Sequence, residues 1–196
     1  MKKEDQDKIR EDVISAAEAV FERYGYLRVS MQDISKECNK GRSTLYGYFK
    51  NKEEVLDAVC HRLFSACMAE SGATISKRRS FSANIESFNT TKLKNLRVMV
   101  SKYKLAIDDL RLDPSGFMYK FRKFVDDEVA IVKQIIVWGI ENKDISELTA
   151  EDIDFLACTL NAAFKSFEQE VLVFGKFPQT DSQVGWLAQM LHKGLS

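Results

Sequence analysis

A run of basic, hydroxyl and aromatic side chains near the N-terminus has the chemistry needed to bind nucleic acid. No acidic residue occurs from Asn39 to Lys52. Arg42 can donate two hydrogen bonds to a guanine edge, and hydroxyl groups can reach bases or phosphate oxygens. The neighbouring hydroxyls belong to Ser43, Thr44, Tyr46 and Tyr48. This combination indicates contact with double-stranded DNA.

The local charge supports this interpretation, although the whole chain of 196 residues has a formal net charge of zero. Between Arg23 and Lys52, seven Lys or Arg residues stand against Asp33 and Glu37, which gives a local charge of +5. A charged run by itself is more often a solvated face than a binding site. Here the run coincides with a motif of consecutive short helices, and this motif favours a binding site over a solvated face.

Catalytic and metal chemistry are not indicated. The four cysteines show no paired spacing, and we interpret them as reduced core residues; they are Cys38, Cys60, Cys67 and Cys158. Cys60, His61 and Cys67 could be imagined as metal ligands, but adjacent residues on a helix diverge by about 100 degrees and no fourth ligand is near. The sequence also contains no nucleophile-elbow, P-loop or zinc-protease motif. We therefore expect no enzyme activity, no cofactor and no metal.

Three predicted helices position the basic run. Apolar residues from Ile9 to Tyr24 recur at spacings of three and four and predict a helix over about residues 6–24, ended by Gly25. Ser30 and Asp33 have the spacing of a capping box, which opens a second, short helix. The stretch Asn39–Gly41 suits a tight turn, after which a third helix begins. The pattern is a helix-turn-helix, whose second helix enters the major groove of DNA.

The remaining sequence predicts further helices. One starts near Asn51, and Ser71 and Gly72 interrupt the pattern after it. Four more apolar stripes follow, over Leu93–Ile107, Phe117–Trp138, Ile153–Phe174 and Val184–Leu195. The expected fold is all-α. It comprises a helix-turn-helix domain over residues 1–52, a connecting helix over about 53–70, and a helical bundle over residues 71–196.

The segment SMQDISKECNKGRSTLYGYFKNKEEV, from Ser30 to Val55, resembles the tetracycline-repressor (TetR) family of bacterial regulators. The resemblance covers roughly residues 9–64. It implies that Ser30 caps the helix that lies against the DNA backbone and that Lys52 contacts a phosphate. It also implies that the exposed face of the third helix meets DNA, through Arg42, Ser43, Thr44, Tyr46 and Tyr48.

Three positions depart from the family pattern. Asn39 stands at the turn glycine and tolerates the same left-handed backbone. Lys40 replaces a small apolar residue, and we expect its stem to lie along apolar surface while its ammonium reaches a phosphate. Gly41 replaces the usual serine cap of the third helix, and is a weaker cap.

The resemblance further implies that the C-terminal part forms a homodimer and binds an effector. Periodicity alone favours the last two helices as the dimer seam, with two helices from each subunit forming a four-helix bundle. The residues of this seam would be Leu156, Leu160, Ala163, Phe167, Val171, Phe174, Val184, Leu187 and Leu191. In the alternative, these stripes pack only inside one subunit.

Large apolar side chains are concentrated in the region from about residue 85 to 142, and we expect a small, largely apolar effector to bind there. The candidate residues are Phe88, Leu96, Met99, Tyr103, Phe117, Phe121, Phe124 and Trp138. Tyr103 and Trp138 combine an apolar body with a polar tip that could orient a ligand. The alternative is that these side chains form an ordinary core.

Two functions fit these observations. The first is a ligand-responsive repressor that binds a palindromic operator as a homodimer. The second is an architectural or cell-division protein that binds DNA and answers to a protein or nucleotide partner. The charged start MKKEDQDKIRED is unlike a secretion signal, and the sequence contains no long apolar run. We therefore expect a cytoplasmic protein without a membrane partner.

Overall fold

The computed structural model describes residues 3–110, 124–172, 175–177 and 180–196 of the chain. Within these ranges the regular structure is entirely α-helical, which confirms the predicted fold class. The helices are α1 (Lys3–Tyr24), α2 (Met31–Glu37), α3 (Arg42–Tyr48), α4 (Lys52–Gly72), α5 (Phe81–Lys102), α6 (Lys104–Leu110), α7 (Val125–Glu141), α8 (Ala150–Leu172) and α9 (Thr180–Leu195). In the described part of the chain, no helix has both the length and the apolar character needed to span a membrane.

Two compact units divide the chain. The first comprises the described residues within Met1–Ser65 and Met99–Arg122. In it α1 packs against α2 and α6, and α2 packs against α3. The core combines apolar residues from every helix of the unit, including Phe21, Ile34, Leu45, Val55 and Tyr103. This core fixes the positions of α2 and α3.

The second unit comprises the described residues within Ala66–Val98 and Lys123–Ser196. Its helices α7 and α8 pack against each other. The core of the unit includes Phe81, Phe88, Ile135, Phe164 and Val184. It is a helical bundle, as the sequence predicted.

The helix ends follow local sequence signals. The hydroxyl of Thr149 accepts a hydrogen bond of 3.1 Å from the backbone N–H of Asp152 and so caps the start of α8. A turn follows α7, and Lys143 adopts a φ of 58° there.

One helix boundary differs from the expectation. The predicted helix at Leu93–Ile107 begins earlier, at Phe81, and is interrupted at Tyr103 between α5 and α6. The described residues 99–110 group with the first unit.

Candidate DNA-binding site

The capping box at the start of α2 fixes the first helix of the motif. The hydroxyl of Ser30 accepts a 3.3 Å hydrogen bond from the backbone N–H of Asp33, and the carboxylate of Asp33 accepts a 2.9 Å bond from the N–H of Ser30. The Ser30 hydroxyl also donates a 2.6 Å bond to that carboxylate. These hydrogen bonds hold the pKa of the Asp33 carboxyl below its usual value. The predicted capping role of Ser30 is confirmed.

The turn between α2 and α3 uses a left-handed residue and a side-chain clasp. Asn39 has a φ of 51°, as predicted. The hydroxyl of Ser35 donates a 2.6 Å hydrogen bond to the carbonyl of Lys40, whose own N–H donates a 3.1 Å bond to the carbonyl of Ser35. The Lys40 ammonium lies 3.4 Å from a carboxylate oxygen of Asp12 in α1. In this structure it is paired within the protein.

Helix α3 turns one face inward and another outward. Leu45 and the following Phe49 are buried, at 0% and 3% exposure, and anchor the helix in the core of the first unit. Gly41 begins the helix without a side-chain hydrogen bond, as expected for a weak cap. On the outward face, Arg42, Ser43 and Tyr46 are exposed and Thr44 is half-buried. The exposed face therefore carries the guanidinium and hydroxyl groups predicted to meet DNA.

Tyr48 departs from this arrangement. Its ring packs against the core, and its hydroxyl is buried without a hydrogen-bond partner among the described residues. The predicted phosphate contact requires an accessible hydroxyl, and this structure does not provide one. The departure arises because position 48 lies one turn beyond the inward-facing Leu45, on the same side of the helix.

Lys52 also differs from its predicted role. Its ammonium donates 2.7 Å hydrogen bonds to the carbonyls of Tyr26 and Val29 and lies 4.2 Å from the centre of the Tyr26 ring. Burial lowers the pKa of this ammonium, and the nearby Asp109 opposes the shift. Two of its three donors are therefore committed to the backbone of the α1–α2 loop. Lys52 is a positioning residue in this structure.

Asp109 is a second positioning residue, and the sequence pattern did not predict it. Its carboxylate accepts a 2.9 Å hydrogen bond from the backbone N–H of Leu27. At Gly25, whose φ is +83°, an added Cβ would lie 2.5 Å from Asp109 Oδ2. Asp109 and Lys52 thus hold the loop that leads into α2. Both contacts join residues far apart in sequence, where periodicity gives no signal.

The predicted effector residues divide between the two units. Phe88, Leu96, Phe124 and Trp138 belong to the second unit, whereas Met99 and Tyr103 belong to the first. Phe88 is fully buried in the second core, and Tyr103 is buried in the first with its hydroxyl unpaired among the described residues. Burial raises the pKa of Tyr103. Phe117 and Phe121 lie outside the described residues.

The predicted dimer seam lies largely within the core of one subunit. Leu160 and Val184 are core residues of the second unit, and Val171 is also buried. Three further seam residues, Leu156, Phe167 and Leu191, pack against that core. Ala163 and Leu187 are exposed, and Phe174 lies outside the described residues. The structure therefore supports the alternative, packing within a subunit, for most of this set.

Another face of the same two helices is apolar and exposed. On α8 it comprises Phe155, Cys158, Ala162 and Ala163, and on α9 it comprises Trp186, Leu187 and Met190. Phe155 and Trp186 are 71% and 64% exposed. We call this set the α8–α9 face. Only Ala163 and Leu187 of this set were predicted from the sequence, because α8 carries apolar residues on both sides.

Comparison with known proteins identifies the motif. The family described as "Bacterial regulatory proteins, tetR family" matches residues 13–59, which include α2 and α3. An uncharacterized HTH-type transcriptional regulator of Bacillus subtilis, YhgD, is 29% identical over 186 residues, which cover 94% of this chain and 95% of that protein. Residues 13–59 of the chain are therefore similar to the tetR family.

Two further comparisons agree. An uncharacterized HTH-type transcriptional regulator of Haemophilus influenzae is 41% identical over 61 residues, and the match spans 31% of this chain and 33% of that protein. The structure of the SmeT–triclosan complex has the same fold, with a TM-score of 0.62, 18% identity, and coverage of 94% of this chain and 90% of that one. The tetR match over residues 13–59 includes both helices of the helix-turn-helix, α2 and α3.

Proposed function

We propose that this chain is a tetR-family regulator, which binds a palindromic operator as a homodimer, acts as a repressor in the cytoplasm, and is released by a small, largely apolar effector. Residues 1–52 would bind DNA, and residues 71–196 would serve dimerisation and effector binding. The observation that carries the proposal is the exposed face of α3, where a guanidinium and several hydroxyls are presented without a neighbouring carboxylate in the sequence from Asn39 to Lys52.

The proposed contacts divide into two kinds. Arg42 would read a base edge, because a guanidinium fits a guanine bidentately. The hydroxyls of Ser43, Thr44 and Tyr46 would contact bases or phosphates and set the register of α3 in the groove. Ser30 acts indirectly by fixing α2. Lys40 would reach a phosphate only by leaving Asp12, from which its ammonium is 3.4 Å away.

The α8–α9 face supports the proposed homodimer. Exposed apolar side chains on two helices, among them the large aromatics Phe155 and Trp186, are typical of an interface between subunits. A two-fold axis through this face would join two helices of each subunit in a four-helix bundle. In the operator complex, the two copies of α3 would lie about 34–36 Å apart, one helical turn of DNA.

The proposed effector acts by differential affinity. A ligand that prefers the arrangement in which the two α3 helices are misplaced shifts the population away from the operator by that preference alone. A tenfold loss of operator affinity requires about 1.4 kcal/mol of preference. The SmeT–triclosan complex shows that a protein of this fold can hold a small molecule.

Selection of DNA sites from a random pool tests this proposal. The purified chain should enrich one short palindrome whose half-sites are spaced by about one helical turn. The selected duplex should then bind in a mobility-shift assay with a stoichiometry of two chains. Enrichment of many unrelated sites would contradict the repressor and favour the architectural alternative.

A further inference from the structure

Four charged side chains meet inside the second unit. Lys92 of α5 lies 2.7 Å from Glu168 Oε1 of α8 and 3.9 Å from Glu128 Oε2 of α7, as measured from its Nζ atom. Lys165 Nζ of α8 lies 3.2 Å from the same oxygen of Glu128. We call these residues the ionic cluster. Lys92 and Glu128 are only 1% and 3% exposed.

Burial of these charged side chains opposes folding, because the charges lose their hydration. Charged side chains are almost never fully buried unless they are paired, and an apolar set of similar volume is often at least as stable. At 3.9 Å the separation of Lys92 and Glu128 is also too long for a hydrogen bond. The cluster therefore contributes less to stability than its ion pairs suggest.

A second observation points to a ligand. Asn161 is 2% exposed, and its side-chain oxygen has no hydrogen-bond partner among the described residues. On α8 it precedes Lys165 and Glu168 by four and seven positions, and this spacing places the three residues on one face of the helix. A buried acceptor without a donor is uncommon in folded proteins. Among the described residues, this face therefore offers a buried acceptor with which a ligand donor could pair.

The charges of the cluster indicate the sign of that ligand. Among the described residues, the cluster contains two carboxylates and two ammonium groups, and the side chain of Lys165 is 30% exposed whereas that of Lys92 is 1% exposed. Burial lowers the pKa of Lys92, but Glu168 and Glu128 outweigh it and the net shift is upward, so this ammonium keeps its charge. A ligand that displaces Lys165 must therefore be a cation if the carboxylate of Glu128 is to stay paired.

An aromatic ring adds to the preference of the cluster for a cationic ligand. The Lys92 ammonium lies 5.2 Å from the centre of the Phe88 ring, which is fully buried. The face of an aromatic ring attracts cations, and the carboxylates and the oxygen of Asn161 are acceptors. Phe88 was predicted from the sequence to line the effector site. The cluster supplies that site with a polar end.

We infer that the ionic cluster is the head-group subsite of the effector site, and that the effector is an amphipathic organic cation whose nitrogen replaces the Lys165 ammonium at Glu128. This inference rests on the proposed function, since it names the ligand class of the proposed effector site. Exchange of one cation for another leaves no carboxylate unpaired. Lys165 is the residue that leaves, because it already reaches solvent while Lys92 does not.

Three probes with one apolar body and different head groups test the inference. They are phenylbutylamine, phenylbutanol and phenylbutyrate, which at neutral pH are cationic, neutral and anionic. Calorimetric titration and thermal unfolding of the full chain should show the amine binding about tenfold tighter than the alcohol, as expected for an ion pair with an aromatic contact. The anion should bind more weakly than the alcohol.

Two variants separate a binding role from a structural one. Glu128→Gln should abolish the preference for the amine over the alcohol. Lys165→Gln should do the opposite and tighten amine binding, because the competing ammonium is gone. A purely structural cluster would not gain affinity in this way. Lys133→Gln is the matched control, since it removes an exposed α7 ammonium that pairs with Asp154 and should change neither affinity.

The outcomes are distinct. Equal binding of the three probes, tighter binding of the anion, or no amine selectivity in Lys165→Gln would overturn the inference even if Glu128→Gln failed to fold. The proposed function is tested separately by selection of an operator. A chain that selects a palindrome but shows no preference for the amine remains a regulator with another ligand class. A chain that prefers the amine but selects no operator loses the proposed function and keeps the cation site.

Discussion

Arg42 is exposed in the first turn of α3, where a long guanidinium can reach a base edge. Arg42→Ala should cost about 1–3 kcal/mol of operator affinity and relax the preference at one base pair in each half-site. Binding curves on the selected operator and on singly substituted operators measure both effects. Arg78→Ala removes an exposed charge outside α3 and should change neither. An unchanged base preference in Arg42→Ala would exclude α3 as the reading helix.

Lys52 and Lys50 are two positions apart and have different environments. Lys52→Met removes the donor to two carbonyls and should lower the free energy of unfolding by about 1–3 kcal/mol. Lys50 is exposed, and Lys50→Met should leave stability within about 0.5 kcal/mol. If Lys50 contacts a phosphate, its loss should reduce the salt dependence of DNA binding by roughly one unit.

Denaturant titration and salt-dependent binding of both variants check this prediction. The contrary result is a Lys52→Met protein of normal stability whose salt dependence falls by one unit. Lys52 would then be the phosphate contact that the family resemblance implied.

At the scale of the elements, two glycines of the first unit should respond in opposite directions to the same change. Gly25→Ala places a Cβ 2.5 Å from Asp109 Oδ2 at a φ of +83°, and should destabilise the chain by about 1–3 kcal/mol. Gly47 lies inside α3 with no atom within 4 Å of the added Cβ. Gly47→Ala should stabilise α3 by about 0.5–1 kcal/mol.

Chemical unfolding of the two variants decides between these signs. Gly25→Ala in an Asp109→Ala background should lose part of its cost, because the close oxygen is removed while the backbone strain stays. A cost that is unchanged in this background would mean that the loop is held without Asp109.

The sequence predicted most elements because each obeys a local signal. The 3.6-residue period marked the apolar stripe of α1, and the capping residue Ser30 marked the start of α2. The roles of Tyr48 and Lys52 were not predictable in the same way. The role of Tyr48 depends on which side of α3 meets the core. The role of Lys52 depends on a loop more than twenty residues away.

At the scale of the whole molecule, the α8–α9 face is the proposed contact between subunits. The double substitution Phe155→Glu and Trp186→Glu should yield monomers that keep their helicity, since both side chains are mostly exposed in one subunit. These monomers should lose specific DNA binding, because one half-site supplies too few contacts. Sedimentation velocity and circular dichroism measure the two properties.

Leu160→Glu is the informative contrast. Leu160 is 7% exposed and lies in the core of the second unit, so a buried carboxylate there should unfold the unit. If Leu160→Glu gave folded monomers and the double variant stayed dimeric, the original seam predicted from periodicity would be correct.

The ionic cluster could not be predicted from the sequence. Lys92, Glu128 and Glu168 lie on three helices, separated by about forty residues at each step, and each resembles an ordinary surface charge when its own helix is considered alone. The apolar candidates of the effector site were selected by residue type, which cannot reveal a buried charge. The prediction therefore contained Phe88 and omitted its charged neighbours.

The exposure of Trp186 gives the protein a built-in optical reporter. The chain contains two tryptophans, and the other, Trp138, is half-buried in the second unit. In the variant Trp138→Phe all tryptophan emission comes from Trp186, whose indole is 64% exposed in one subunit. Association through the α8–α9 face would remove this indole from water and shift its emission to shorter wavelength. Dilution of the unlabelled protein would reverse that shift, so subunit exchange could be followed by fluorescence without attaching a dye.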